Sequence, residues 1–162
     1  MRVDHEEVLA RNAMLLARCF WHLSHEFGTA ADGRAPSLPL FVIASAMLFH
    51  GESVEKIHRM NFDSGLLKVV MERPDLLAGL QRRLEAALEP SLKGLQVAVS
   101  SGLLSRESGE GFPTFRAAGG NLPAPLRDPP YHGTMTAAAR RLGVWFAGEP
   151  LAVIQRQLAV EF

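Results

Sequence analysis

The chain has 162 residues, 48% of them apolar, and its 17 basic side chains are balanced by 17 acidic ones. That is enough apolar material for a real core in one compact domain, so overall disorder is excluded, and the charge balance excludes a global field for nucleic acid or anionic lipid, leaving local basic patches. A single cysteine, Cys19, excludes an internal disulfide and a thiolate metal site, as fits a reducing cytoplasm.

In chain order, Met1 to Ala10 carries charged side chains ahead of any apolar run, unlike a secretory signal. Val8 to Phe27 reads as a long amphipathic helix. Leu9, Leu16, Phe20, Leu23 and Phe27 mark its apolar side, and Glu7, Arg11, Arg18, His22 and Glu26 its polar side. Gly28 to Pro36 reads as a loop. Leu38 to Phe49 is apolar all round, which predicts a helix in the centre of the core; it is too short for the roughly 20 residues that cross a bilayer. Short helices follow from Glu52-Ser53 and from Asp63-Ser64, the second stopped at Arg73-Pro74.

Residues 74 to 117 predict a winged-helix outline. A helix opens at Pro74-Asp75 with Leu76, Leu77, Leu80, Leu84 and Leu88, a second restarts at a corner at Pro90 and ends near Gly102, and Ser108 to Gly111 turns a β-hairpin that returns through Phe112 to Arg116. Ala118 to Gly133, rich in proline, reads as an extended connection tacked down by Leu122, Leu126 and Tyr131. Thr134 starts a helix to Ala147 with Met135, Ala138, Leu142, Trp145 and Phe146 inward and Arg140 and Arg141 outward. Leu151 to Leu158 forms the last helix. The expected fold is mainly α with a small β-hairpin: a winged-helix-like core (74–117) with an added N-terminal helical part (4–73), an extended linker (118–133) and C-terminal helices (134–162), together one domain.

Reactive groups are sparse. Cys19, His22 and His25 repeat at threes, but they are fewer than four ligands, and Cys19 beside Phe20 reads as core. Nucleophile elbows, phosphate loops and dinucleotide turns are missing from the sequence, so no catalytic residue, metal or cofactor is expected and an enzyme is not. The candidate contact residues are Arg11, Arg18 and His22 on the first helix, Lys93 on the helix after Pro90, and Arg106 and Arg116 on the hairpin. They serve protein contact or, if Lys93, Arg106 and Arg116 face one way, DNA phosphates.

The segments LPLFVIASAMLFHGESVEKI, RPDLLAGLQRRLEAALEPSLKGLQVAVSSGLL and AARRLGVWFAGEPLAVIQRQLAV, in that order, resemble the middle component of bacterial three-component ABC ATPase systems. The similarity runs from Leu9 to the C-terminus and is carried by Pro74, Leu77, Leu84, Gly102-Leu103-Leu104, Arg141-Leu142-Gly143 and Trp145-Phe146. The resemblance implies a small cytoplasmic, non-enzymatic adaptor that works beside a coiled-coil ATPase of the SMC kind and an effector subunit, in defence against phages or plasmids. The resemblance leaves DNA contact within that complex open, and no membrane and no small-molecule substrate are expected. The alternative reading is a winged-helix DNA-binding transcriptional regulator, whose binding would weaken steeply with salt.

Overall fold

The computed structural model describes residues 12–119, 122 and 133–162. Among them are seven α-helices and one two-stranded antiparallel sheet. The long first helix, α1, spans Ala13–Ala30; residues 8–11 of the expected helix lie outside the described residues. Asn12 caps it by accepting a hydrogen bond from the Leu15 N–H at 2.9 Å. The helix runs through Gly28 instead of stopping there, and the chain turns only at Asp32 and Gly33, both at positive φ.

Helix α2, Leu38–Leu48, buries every side chain from Pro39 onward, as an all-apolar sequence requires. Its one hydroxyl, on Ser45, donates to the Phe41 carbonyl at 2.9 Å and so is not left unpaired. Short helices α3 (Gly51–Ile57) and α4 (Gly65–Glu72) follow at the expected places, and a 3-10 turn covers Pro74–Leu77. No single described helix is long and apolar enough to cross a membrane; α2 and α3, apolar enough together, meet at 102°.

The expected corner at Pro90 does not form. One helix of 21 residues, α5, runs Leu80–Ser100 straight through the proline. Leu80, Leu84, Ala87, Ser91, Gly94, Leu95 and Ala98 make one continuous buried stripe on both sides of Pro90. Burial along that stripe outweighs the single backbone bond the proline removes. The carbonyl that loses its donor belongs to Ala86, an exposed residue that water can serve. Ser91 is fully buried and donates to the Ala87 carbonyl at 2.6 Å.

The hairpin forms as expected. Strand β1, Leu104–Glu107, pairs antiparallel with β2, Thr114–Ala117, placing Leu104 opposite Ala117 and Arg106 opposite Phe115. The outer edge of β2 meets residues 36–38: the Phe115 N–H donates to the Pro36 carbonyl and the Leu38 N–H to the Pro113 carbonyl. Ser24 on α1 ties the strand to the core, donating from Oγ to the Phe115 carbonyl and accepting from the Ala117 N–H, both at 2.9 Å. Phe41 joins Phe20 and Phe115 in edge-to-face contacts, with centroids 5.1 and 5.5 Å apart.

Helix α6, Gly133–Ala147, packs along α1, and α7, Leu151–Leu158, closes the chain. Of the expected connection, Leu122 is buried, while Leu126 and Tyr131 lie outside the described residues. Gln81 at the start of α5 exchanges two hydrogen bonds with the backbone of Glu161, fastening the C-terminal residues to that helix. The buried side chains of all these elements form one cluster, with α1 between α6 and α5.

Candidate partner-binding site

The five candidate residues that are described do not share one face. Arg11 lies outside the described residues. Arg18, expected on a solvated face of α1, is 95% buried at a relative exposure of 5%. His22 is half-buried beside Trp21, whose ring meets it edge-on at 5.1 Å and stacks on His25 at 4.8 Å and 9°. Cys19 is wholly buried, and among the described residues no three His, Cys, Asp or Glu side chains are grouped as a metal ion requires.

On the hairpin, paired residues share a face, so the register sets Arg106 on the side of Leu104 and Phe115 and Arg116 on the side of Ser105 and Glu107. The two arginines therefore point to opposite faces of the ribbon, and the one-sided phosphate contact that the DNA reading requires does not form there. Arg116 is also engaged. Its Nε donates to Glu107 Oε1 at 2.6 Å, its Nη2 reaches Oε2 at 3.4 Å, and its Nη1 donates to the Gly33 carbonyl. Those hydrogen bonds, and the arginine's charge, hold the Glu107 carboxyl below the usual carboxylate range. Lys93 is exposed and pairs with Glu89 one turn back on α5, at 3.3 Å.

A cleft of about 1080 Å³ lies between α3, α4 and the start of α6. Four cations line it: Lys56, Arg59, Lys68 and Arg73. Each faces a carboxylate. Lys56 and Lys68 pair with Glu72, Arg59 with Glu55, and Arg73 with Glu52 and, through two bonds of 2.9 and 2.7 Å, with Asp75. Hydrogen bonding from Lys56 lowers the Glu72 carboxyl and hydrogen bonding from Arg73 lowers that of Asp75. The cleft is thus a self-neutralised lattice that staples α3 to α4, and it presents no bare cationic clamp for a phosphate.

What sequence reasoning missed is the outer side of α5. Leu88, Leu92 and Val99 are 47%, 46% and 37% exposed, and with the buried Leu95 they repeat at steps of four, three and four. That spacing makes a narrow apolar seam of the kind one helix offers another. The signal was present in the small residues. Ala87, Ser91, Gly94 and Ala98 mark the side where α5 approaches α1 and α2 closely, so the large leucines at 88 and 92 fall on the flank beside the buried stripe.

A family model for the ABC-three component (ABC-3C) system middle component 3 matches residues 1–162. The chain belongs to this family. No curated protein and no solved structure matches it. The middle component's resemblance anchors near the C-terminus are packing devices. Arg141, expected to point outward, turns in: its Nε donates to the Met60 carbonyl at 2.5 Å, its Nη1 to the Ala137 carbonyl at 2.9 Å, and its guanidinium lies 4.6 Å over the Phe62 ring. Trp145 Nε1 donates to the Phe62 carbonyl at 2.9 Å, and Gly143 lets α6 touch the backbone of α1 at Leu23. Arg140 is the outward member of the pair and meets Glu26 at 2.9 Å.

Proposed function

We propose that this middle component is a non-enzymatic adaptor that joins a coiled-coil ABC ATPase of the SMC kind to an effector subunit in a cytoplasmic defence complex against phages or plasmids. Membership of a three-component system supports partners within that system, and one structural observation supports the adaptor role most directly: the apolar seam of Leu88, Leu92 and Val99 on a 21-residue helix already anchored by the buried stripe beside it. A helix held rigidly by one stripe and presenting a second is suited to receiving a partner helix at little ordering cost. Lys93, on the solvent side of the same helix, and Arg106, on the ribbon, are exposed and would offer polar contacts to a partner.

Co-expression with the ATPase and effector of the same system, followed by size-exclusion chromatography, tests the reading. A stable co-eluting complex is expected. A monodisperse middle component that passes both partners by would overturn it.

A further inference from the structure

On the flank of α5 beside the buried stripe, two rows of side chains repeat at sevens: Gln81, Leu88 and Leu95 in one, Glu85, Leu92 and Val99 in the other. A straight helix drifts by only about 20° over seven residues, so each row keeps to one side. The flank is therefore apolar from Leu88 to Val99 and ends, one turn before Leu88, in a carboxylate. At Gln81 it is closed. That side chain exchanges hydrogen bonds of 3.2 and 2.9 Å with the backbone of Glu161, so the C-terminal residues occupy this end. The stretch open to a partner runs from Glu85 to Val99, about 20 Å of helix.

The charge of Glu85 is not met within the described chain. Glu85 is exposed, it accepts a hydrogen bond of 3.4 Å from the neutral Gln81 amide, and Arg82, one turn back on α5, makes no ion pair with it. Other carboxylates on the exposed sides of the helices are taken: Glu55 by Arg59, Glu72 by Lys56 and Lys68, and Glu89 by Lys93. In water a lone carboxylate is harmless, but a helix laid over Leu88 and Leu92 would strip that water away. Whatever covers the leucines must therefore bring a cation to Glu85.

A second copy of this chain does not bring one. Parallel pairing of two α5 helices sets Glu85 against Glu85. Antiparallel pairing with Leu92 against Leu92 sets it against Val99, and a shift of one layer either way sets it against Leu95 or Gly102. We propose that this flank receives an amphipathic helix of a different chain, with apolar side chains at three- and four-residue steps against Leu88, Leu92 and Val99 and a lysine or arginine one turn beyond them against Glu85. The chemistry of the occupant stands on the flank alone; that the helix belongs to the ATPase or the effector rests on the adaptor reading above.

The occupant is tested first on the full chain with synthetic probes. Two fluorescent, hydrocarbon-stapled helical peptides of about four turns carry identical leucines. They differ in having lysine or glutamate one turn beyond the leucines at both ends, so that either chain direction meets Glu85. Anisotropy titration is expected to give the lysine peptide an affinity about fivefold higher than the glutamate peptide. That preference should vanish in Glu85→Gln, invert in Glu85→Lys and survive Glu110→Lys, the same charge change on the hairpin turn, while Leu92→Glu releases both peptides. Equal affinities, a preference that Glu85→Gln leaves intact, or no binding of the lysine peptide would each overturn the basic helix as occupant. A chain that sediments as a dimer until Leu92→Glu is introduced would overturn it too, by making a second copy the occupant. Co-expression then assigns the source: Glu85→Lys is expected to lower recovery of the complex about fivefold or more while the Tm of the isolated chain stays at the parent value. Undiminished recovery alongside the peptide preference would overturn the assignment to those subunits while leaving the site. Failure of the wild-type chain to form any complex would overturn the adaptor reading alone.

Discussion

A methyl group at position 143 would drive into the backbone of the neighbouring helix. The nearest atoms to a Cβ on Gly143 are the Leu23 carbonyl oxygen, carbon and Cα, none of which can move without displacing α1. At Gly94, on the opposite flank of α1, a Cβ would lie 2.9 Å from Leu16 Cδ2 and 3.1 Å from Phe20 Cε2, which are side-chain ends. Both positions gain roughly 1 kcal/mol of helix propensity from alanine. The outcomes should therefore diverge: Gly143→Ala loses about 3 kcal/mol or more to overpacking, whereas Gly94→Ala stays within about 1 kcal/mol of the parent as Leu16 adjusts. Urea unfolding of the two variants measures the difference, and equal losses would show that the two helix contacts are equally rigid.

At the scale of elements, Pro90 separates what the sequence suggests from what packing decides. Were it a corner, replacing it would release a turn and weaken the fold. In an unbroken helix, Pro90→Ala restores the hydrogen bond to Ala86 and removes a ring from the preceding turn, so stability should rise by about 1–3 kcal/mol, with helical circular dichroism unchanged or slightly greater. The ribbon carries its own prediction. Because the Glu107 carboxyl is lowered by Arg116, the unfolded chain takes up its proton first on acidification; the pair's contribution is complete above the usual carboxylate range and is lost as pH falls through the lowered folded value. Glu107→Gln should accordingly flatten the acid side of the Tm-against-pH curve and leave the neutral side parallel to the parent. Most of the elements were legible because their cues are local: the all-apolar run at 38–48, the turn residues ahead of β2, and the stripe of Met135, Ala138, Leu142, Trp145 and Phe146. Pro90 was misleading because a proline's cost is local while the burial that overrides it comes from α1 and α2, far away in sequence. Arg18 was misread for a related reason. Its position on the helix was right, but burial of that side is set by tertiary structure, which helical spacing does not contain.

For the molecule as a whole, α5 carries a buried apolar stripe, its inner face, and beside it an exposed apolar flank, its outer face, and substitution can separate their duties. The inner face, through Leu84 and its buried neighbours, holds the fold; Leu84 is 3% exposed. The outer face contributes little to it, since Leu92 is nearly half exposed and its removal from water on folding is correspondingly partial. Leu92→Glu should change stability by no more than about 0.5 kcal/mol, as surface substitutions generally do. Placed in the middle of a helix-to-helix seam, however, the new carboxylate would be desolvated without a partner each time a second helix docks, a loss that lowers affinity by about tenfold or more. Leu84→Glu, by contrast, should fail in unfolding assays before any binding is measured. The decisive comparison is recovery of the co-expressed complex against Tm of the isolated chain. A Leu92→Glu protein that melts like the parent and still elutes with the ATPase would remove the seam from the interface. One that melts like the parent and elutes alone would mean that α5 uses its inner face to build the adaptor and its outer face to hold the partner.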